Sequence, residues 1–277
     1  MTTAKPFVAA CLQVNALNDM AANIAAASDL TRKAVAKGAQ LVLMPENVSM
    51  MEWGRDNIVA KAMPEEAHAA LKAFRELAKE LSIWLHCGSL AVLLPNRKVA
   101  NRTYVVDPSG KVVAKYDKIH MFDVDLGNGE SYRESATFEP GNSPALVDLP
   151  WGKLGLTICY DLRFPHLYRH LAQAGADFLT IPAAFTKVTG EAHWHVLQRA
   201  RAIETGCYVF APAQTGTHIN ERKTYGHALI INPWGEVLAD AGSEPGFIMA
   251  TIDPAEVVKA RGRVPAINLN VPFAANA

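Results

Sequence analysis

The chain has 277 residues and no net charge, because 27 lysines and arginines balance 27 aspartates and glutamates. That balance lacks the basic field that nucleic acid or an anionic membrane surface selects for, so neither is expected as a partner. Half of the residues are hydrophobic, enough to bury the core of one large α/β domain or two smaller ones.

No apolar run approaches the length of a membrane span, and no signal peptide is visible in Met1-Thr-Thr-Ala-Lys-Pro6. Cys11, Cys87, Cys159 and Cys207 show no C-x-x-C spacing. They are too sparse for a disulfide scaffold and wrongly spaced for zinc, so they read as reduced thiols. A cytoplasmic location is the expectation that follows.

In chain order, Phe7 to Val14 reads as a strand, and Asn18 or Asp19 caps an alanine-rich helix that stops at Gly38. Leu41 to Met44 is a second buried strand, halted by Pro45. A helix from Glu65 to Leu81 carries Ala70, Phe74, Leu77, Ala78 and Leu81 on one face. Strands follow at Ile83 to Cys87 and near Ser89 to Leu94. A hairpin then runs from Tyr104 to Ala114 with its turn at Pro108 to Gly110. Residues 117–143 lack periodicity and read as a long ordered or functional loop.

The second half repeats this grammar. Leu30 to Pro45 resembles Leu167 to Pro182 at an offset of 137 residues. Glu80 to Cys87 matches Glu204 to Ala211 at 124, and Asp107 in the hairpin matches Asn232 at 125. Three ordered matches at similar offsets predict two related α/β halves. An apolar sheet face needs a second one to cover it, so the halves are expected to pack sheet against sheet with helices outside. The expected architecture is a four-layer αββα sandwich of two pseudo-symmetric halves, a single domain over 1–277.

Between the halves lies Gly152 to Pro165, where Leu154 to Ile158 reads as a buried strand. Asp161 is suited to cap a following helix, and Pro165 to its first turn. Cys159 therefore falls on the bend between strand and helix, where unpaired N–H groups favour a thiolate. A thiol nucleophile needs a base and a group that stabilises the oxyanion. Nine histidines are present, yet no motif places one as that base. His193 and His195 read as helix residues, and the role of His120 is open. Glu46 follows a proline at the end of a buried strand, where desolvation would raise its pKa and improve it as a base. Lys118, just after the hairpin, offers an ammonium to a tetrahedral oxyanion. Taken singly, each of these residues also has an ordinary structural reading, as a turn carboxylate or a solvated lysine.

Taken together, Pro45-Glu46, Tyr116-Asp-Lys118-Ile-His120 and Ile158-Cys159-Tyr-Asp-Leu-Arg163-Phe-Pro165 resemble the three signature blocks of the nitrilase superfamily of carbon–nitrogen hydrolases. They stand in the family's order, with separations of 72 and 41 residues. The likeness extends through Thr189 to Thr205, Tyr225-Gly-His-Ala228 and Asn232-Pro-Trp-Gly235. The resemblance implies that Cys159 attacks an amide carbonyl to form a thioester and that Glu46 shuttles the proton. It further implies that Lys118 and the Tyr160 N–H hold the oxyanion, and that Glu134 is a second active-site glutamate. No metal or organic cofactor is implied, and the expected partner is a small-molecule amide.

Within the superfamily the pattern is most like the branch of ω-amidases and deaminated-glutathione amidases. Phe185 and Thr186 fall in a segment similar to their substrate loops, and Arg163 is the candidate anchor for a substrate carboxylate. The Arg199 to Val209 and Gln214 to His218 segments lean toward the deaminated-glutathione type. Hydrolysis of α-ketoglutaramate and nitrile hydrolysis are the same-fold alternatives. A non-catalytic binding module and a redox protein using Cys159 with Cys87 or Cys207 are the alternatives of another class. The family implies a homo-oligomer, and the apolar spacing of Val264, Ile267, Leu269, Val271 and Phe273 makes the tail at 262–277 either an interface or a segment folded back on its own core.

Overall fold

The computed structural model describes residues 4–127 and 129–272, so Phe273 and the end of the apolar tail lie outside the described residues. In the first half, strand β1 (Phe7–Val14) leads to helix α1 (Met20–Ala36), whose first turn is capped by the Asp19 carboxylate on the Ala22 N–H. Strand β2 (Leu41–Leu43) and helix α2 (Arg55–Lys61) follow. The helix predicted from Glu65 is broken. A 3-10 turn covers Glu65–Ala67, His68 is extended, and helix α3 runs over Ala69–Leu81 with Leu71 rather than Leu81 in its buried set. Strands β3 (Trp84–His86), β4 (Leu90–Leu93), β5 (Val99–Val106) and β6 (Val112–Asp117) complete this half.

The predicted loop at 117–143 contains a small hairpin, β7 (Asp123–Asp125) with β8 (Ser131–Arg133), and a 3-10 turn at Glu134–Ala136. The second half then supplies β9 (Ala145–Leu149), β10 (Gly152–Leu156), α4 (Pro165–Gln173), β11 (Phe178–Thr180) and α5 (Lys187–Thr205). After these come β12 (Tyr208–Ala211), β13 (Ala213–Thr217), β14 (Lys223–Tyr225), β15 (Leu229–Ile231), β16 (Val237–Asp240), β17 (Gly246–Ile252) and α6 (Ala255–Arg263).

The internal repeat is visible in the strand pairing. In one sheet β1, β2 and β3 are parallel neighbours, and β5 and β6 add antiparallel. In the other, β10, β11 and β12 are parallel, and β15 and β16 add antiparallel. Even the outer neighbours correspond, since β17 runs antiparallel to β1 as β9 does to β10. The repeat is broken where β13 leaves the second half to pair with β1, tying the halves together.

Alternation along β1 shows why two layers are needed. Phe7, Ala9 and Cys11 enter the core shared with β10, β11 and β12, whereas Ala10, Leu12 and Val14 pack under α1 and α3. Phe7 stacks on Trp151 at 4.1 Å and meets Phe178 edge-on at 5.6 Å, joining the two sheets. This is the αββα sandwich that the sequence echo predicts. The described part of the tail folds back on α4, where Gln173 donates to the Ile267 carbonyl at 3.0 Å. Among the described residues no helix is long and apolar enough to cross a membrane.

The carboxyl ends of β2 and β10 meet at the sandwich edge, and the backbone there is tightly fitted. Gly88, at φ +59°, lies so near the Glu46 turn that a Cβ would fall 2.0 Å from the Pro45 carbonyl oxygen. Gly88→Ala is therefore expected to lose about 3 kcal/mol or more of stability, from overlap and left-handed backbone together. Denaturant unfolding of the purified variant checks this.

Candidate active site

Glu46 sits just past β2 and is 3% exposed. Its Oε1 accepts from Asn101 Nδ2 at 2.9 Å and from Lys118 Nζ at 3.1 Å, and its Oε2 accepts from the Ala184 N–H at 2.8 Å. Lys118, at the end of β6, also donates to both oxygens of Glu134, at 3.0 and 2.9 Å. Glu134 is fixed from its other side by the Phe122 N–H at 2.6 Å. Cys159 follows β10 at φ +48°, and its thiol lies against the Glu46 carboxylate. One cation thus sits between two carboxylates with the thiol beside them, and the four residues from the sequence motifs are brought together.

The charges in this cluster differ from what sequence alone predicts. Burial would raise the Glu46 carboxyl, but the Lys118 ammonium, the thiol, the Ala184 N–H and Asn101 overturn that and hold it below the ordinary 4.5. The expected upward shift is therefore corrected. Burial pushes the Cys159 thiol well above its ordinary 9.0, and the facing carboxylate pushes it further, against the opposing pull of Lys118. The expectation of a thiolate favoured by a helix start is likewise corrected. Only a 3-10 turn follows Cys159, and α4 begins at Pro165. For Lys118 burial works against the charge, yet Glu134, Glu46 and the thiol keep the ammonium above the usual lysine range. At rest the site holds an ionised base and a neutral thiol.

Asp161, predicted to cap a following helix, instead ties together the segments that carry Lys118 and Cys159. Fully buried, it accepts from the Ile158 N–H at 2.9 Å and the Tyr116 hydroxyl at 2.7 Å. It also accepts from the His120 N–H at 3.1 Å and pairs with His120 Nδ1 at 2.6 Å. His120, whose role the sequence leaves open, stacks its ring on Phe164 at 3.6 Å and braces Asp161. The strand end that carries Lys118 and the bend that carries Cys159 share one carboxylate.

The cluster opens into a cavity of about 360 Å³ lined by Tyr160, Phe185 and Thr186, as predicted, together with Phe122, Tyr132 and Arg222. Arg163 is not among its lining residues. Its guanidinium lies 5.2 Å over the Phe185 ring and 6.0 Å from that of Tyr160, and it contacts His193 Nδ1 at 3.3 Å. Asn101 and Gln214 also serve the site; no sequence motif points to Asn101, and the Gln214 to His218 segment pointed to substrate type and not to the Glu46 turn. Gln214 donates to the Glu46 carbonyl at 2.9 Å and accepts from the Ala16 N–H, so it positions the turn. Asn101 lies in a strand that also carries Arg102 and Thr103, so its polarity did not mark it out, and nothing local distinguished Arg222 from a surface arginine. All four cysteines are free and buried.

The carbon–nitrogen hydrolase family model matches residues 8–262. A deaminated glutathione amidase of Synechocystis sp. is 41% identical over 271 residues, covering 96% of this chain and 99% of that protein. Among solved structures, the C. elegans NitFhit protein matches with a TM-score of 0.89 and 34% identity, over 98% of this chain. The chain spans 66% of NitFhit. Saccharomyces cerevisiae Nit3, described as a member of branch 10 of the nitrilase superfamily, matches with a TM-score of 0.86 and 29% identity, over 95% and 97% of the two chains.

Removing the shared Asp161 carboxylate strands the Tyr116 hydroxyl, the His120 ring and the Ile158 N–H. Asp161→Ala is expected to lose about 3 kcal/mol or more, since several buried polar groups lose their partner at once. Urea unfolding followed by tryptophan fluorescence measures it.

Proposed function

The chain belongs to the carbon–nitrogen hydrolase family and is an amidase, and we propose that the amide it cleaves is that of deaminated glutathione. The proposal extends to residues 1–277 as one hydrolase domain acting through Cys159, Glu46, Lys118 and Glu134. The observation that carries it is the Glu46–Lys118–Glu134 cluster beside the Cys159 thiol. A buried group of charges like this costs too much in lost hydration to persist without a chemical use.

Glu46 takes the thiol proton as sulfur attacks the amide carbonyl, so the nucleophile forms only when a substrate is present. The developing oxyanion is received by the Lys118 ammonium and the Tyr160 N–H. Glu134 holds Lys118 in place and keeps a second carboxylate near it, so the ammonium is not drawn wholly onto Glu46. The proton on Glu46 passes to the departing nitrogen, leaving a thioester on Cys159. Water then enters, gives a proton to Glu46 and releases the acid, and the proton returns to the thiol. Phe185 and Thr186 form part of the substrate wall. The substrate assignment draws on the relative's name and on the segments around Arg199 and Gln214. Four unpaired thiols favour a reducing, cytoplasmic setting, and the family resemblance favours a homodimer or larger assembly.

Purified enzyme offered deaminated glutathione and α-ketoglutaramate separately tests the reading. Release of cysteinylglycine from the first, much faster than ammonia from the second, is the expected result, and the reverse order makes the protein an ω-amidase. Cys159→Ala is expected to lower kcat at least about 10⁴-fold, as loss of a nucleophile does elsewhere. Because Glu46 is held low, kcat/KM is expected to keep its acid limb below pH 4.5. The base and its ion-pair stability are both retained above that value and lost as pH falls through the folded pKa. A limb near neutrality contradicts this.

A further inference from the structure

Four cationic side chains line the cavity: Arg55, Lys118, Arg133 and Arg222. Lys118 is committed at rest to Glu46 and Glu134, and in the reaction proposed above to the oxyanion. Arg133 donates to the Val124 and Tyr132 carbonyls, and Arg55 lies out toward solvent beside Asp56. Arg222 is different. Its Nη2 donates to the Ala184 carbonyl at 2.9 Å and its guanidinium packs 5.3 Å over the Tyr132 ring. Its buried Nε has no hydrogen-bond partner, and no carboxylate of the described residues lies within 4.0 Å of it. A half-buried guanidinium on a cavity wall, held by one donor and with others unpaired, is matched by a carboxylate.

Position supports the match. Ala184 gives its N–H to Glu46 at 2.8 Å and its carbonyl to Arg222 at 2.9 Å. One residue thus links base and guanidinium, and ordinary bond lengths keep them within about 10 Å of each other. The two end carbons of a five-carbon diacid chain stand roughly 5 Å apart at C–C bonds of about 1.5 Å. With a hydrogen bond at one end and sulfur attack at the other, such an acyl group spans the interval.

Resting on the amidase reading above, we propose that Arg222 receives the carboxylate at the far end of the acyl half of the substrate. The substrate class is then the monoamide of a short dicarboxylic acid, with the departing amine left to the open side of the cavity. Arg222 takes the role that the sequence had suggested for Arg163.

The test compares the five-carbon diacid monoamide with its methyl ester, which has nearly the same shape without the charge. Wild-type enzyme is expected to prefer the acid. Arg222→Met is expected to lower kcat/KM for the acid about 100-fold, mostly through KM, as loss of a charged hydrogen bond does. The ester is expected to lose far less, and Arg222→Lys to recover part of the preference. The rate of Cys159 alkylation by iodoacetamide, read on each variant, reports whether the nucleophile's surroundings are intact. A preference kept by Arg222→Met, or equal losses on acid and ester, overturns the anchor and leaves the amidase reading standing. Wild-type enzyme with no preference for the acid overturns the proposed substrate class as well.

Discussion

The site depends on one ammonium held between two carboxylates. Lys118 is almost wholly buried, and its charge survives because Glu46 and Glu134 each contribute an oxygen within about hydrogen-bond reach. Remove either acid and the remaining pair changes character. Without Glu134 the ammonium would collapse onto Glu46 and weaken it as a base. Without Glu46 the thiol would face a cation with nothing to accept its proton. The thiol at rest is neutral because burial and the carboxylate both disfavour its anion. In the proposed mechanism the nucleophile is therefore made at the moment of attack rather than stored as thiolate, which suits an enzyme with an amide, not a disulfide, to cleave.

The fold keeps these groups in place from three directions. Glu46 comes from the end of β2, Lys118 from the end of β6 and Cys159 from the bend after β10, in both halves of the sandwich. Each is locked by a group without chemistry of its own: Gln214 and Gly88 for the Glu46 turn, and Asp161 for Lys118 and Cys159 together. The pseudo-symmetry explains why strand ends from two sheets meet at one edge. The asymmetry, with β13 crossing to β1 and the β7–β8 hairpin added, distinguishes the two halves.

Much of this was legible in the sequence. Apolar runs closed by Pro45 and by the bend at Cys159 marked the strands, and the echo between halves marked the sandwich, because local patterning and topology agree there. What was not legible depends on distant partners. The pKa of Glu46 follows from Lys118, 72 residues away, so burial alone gave the wrong direction. Asp161 looked like a helix cap because that is the commonest local use of its side chain, whereas its partners Tyr116 and His120 come from β6 and the bend after it. Arg163 was singled out because it neighbours Cys159 in sequence. The fold turns it behind Phe185 and brings the later arginine to the cavity wall.

The ionisation state of Cys159 is the most direct point of attack. The ultraviolet absorbance of thiolate, taken as wild type minus Cys159→Ala, can be titrated in the native protein from neutrality to pH 9.0, the ordinary thiol value. A neutral thiol facing an ionised Glu46 predicts no thiolate signal across that range, with activity already full at its lower end. A thiolate titrating near or below neutrality would contradict the arrangement, and would mean that Lys118, not Glu46, sets the state of the nucleophile.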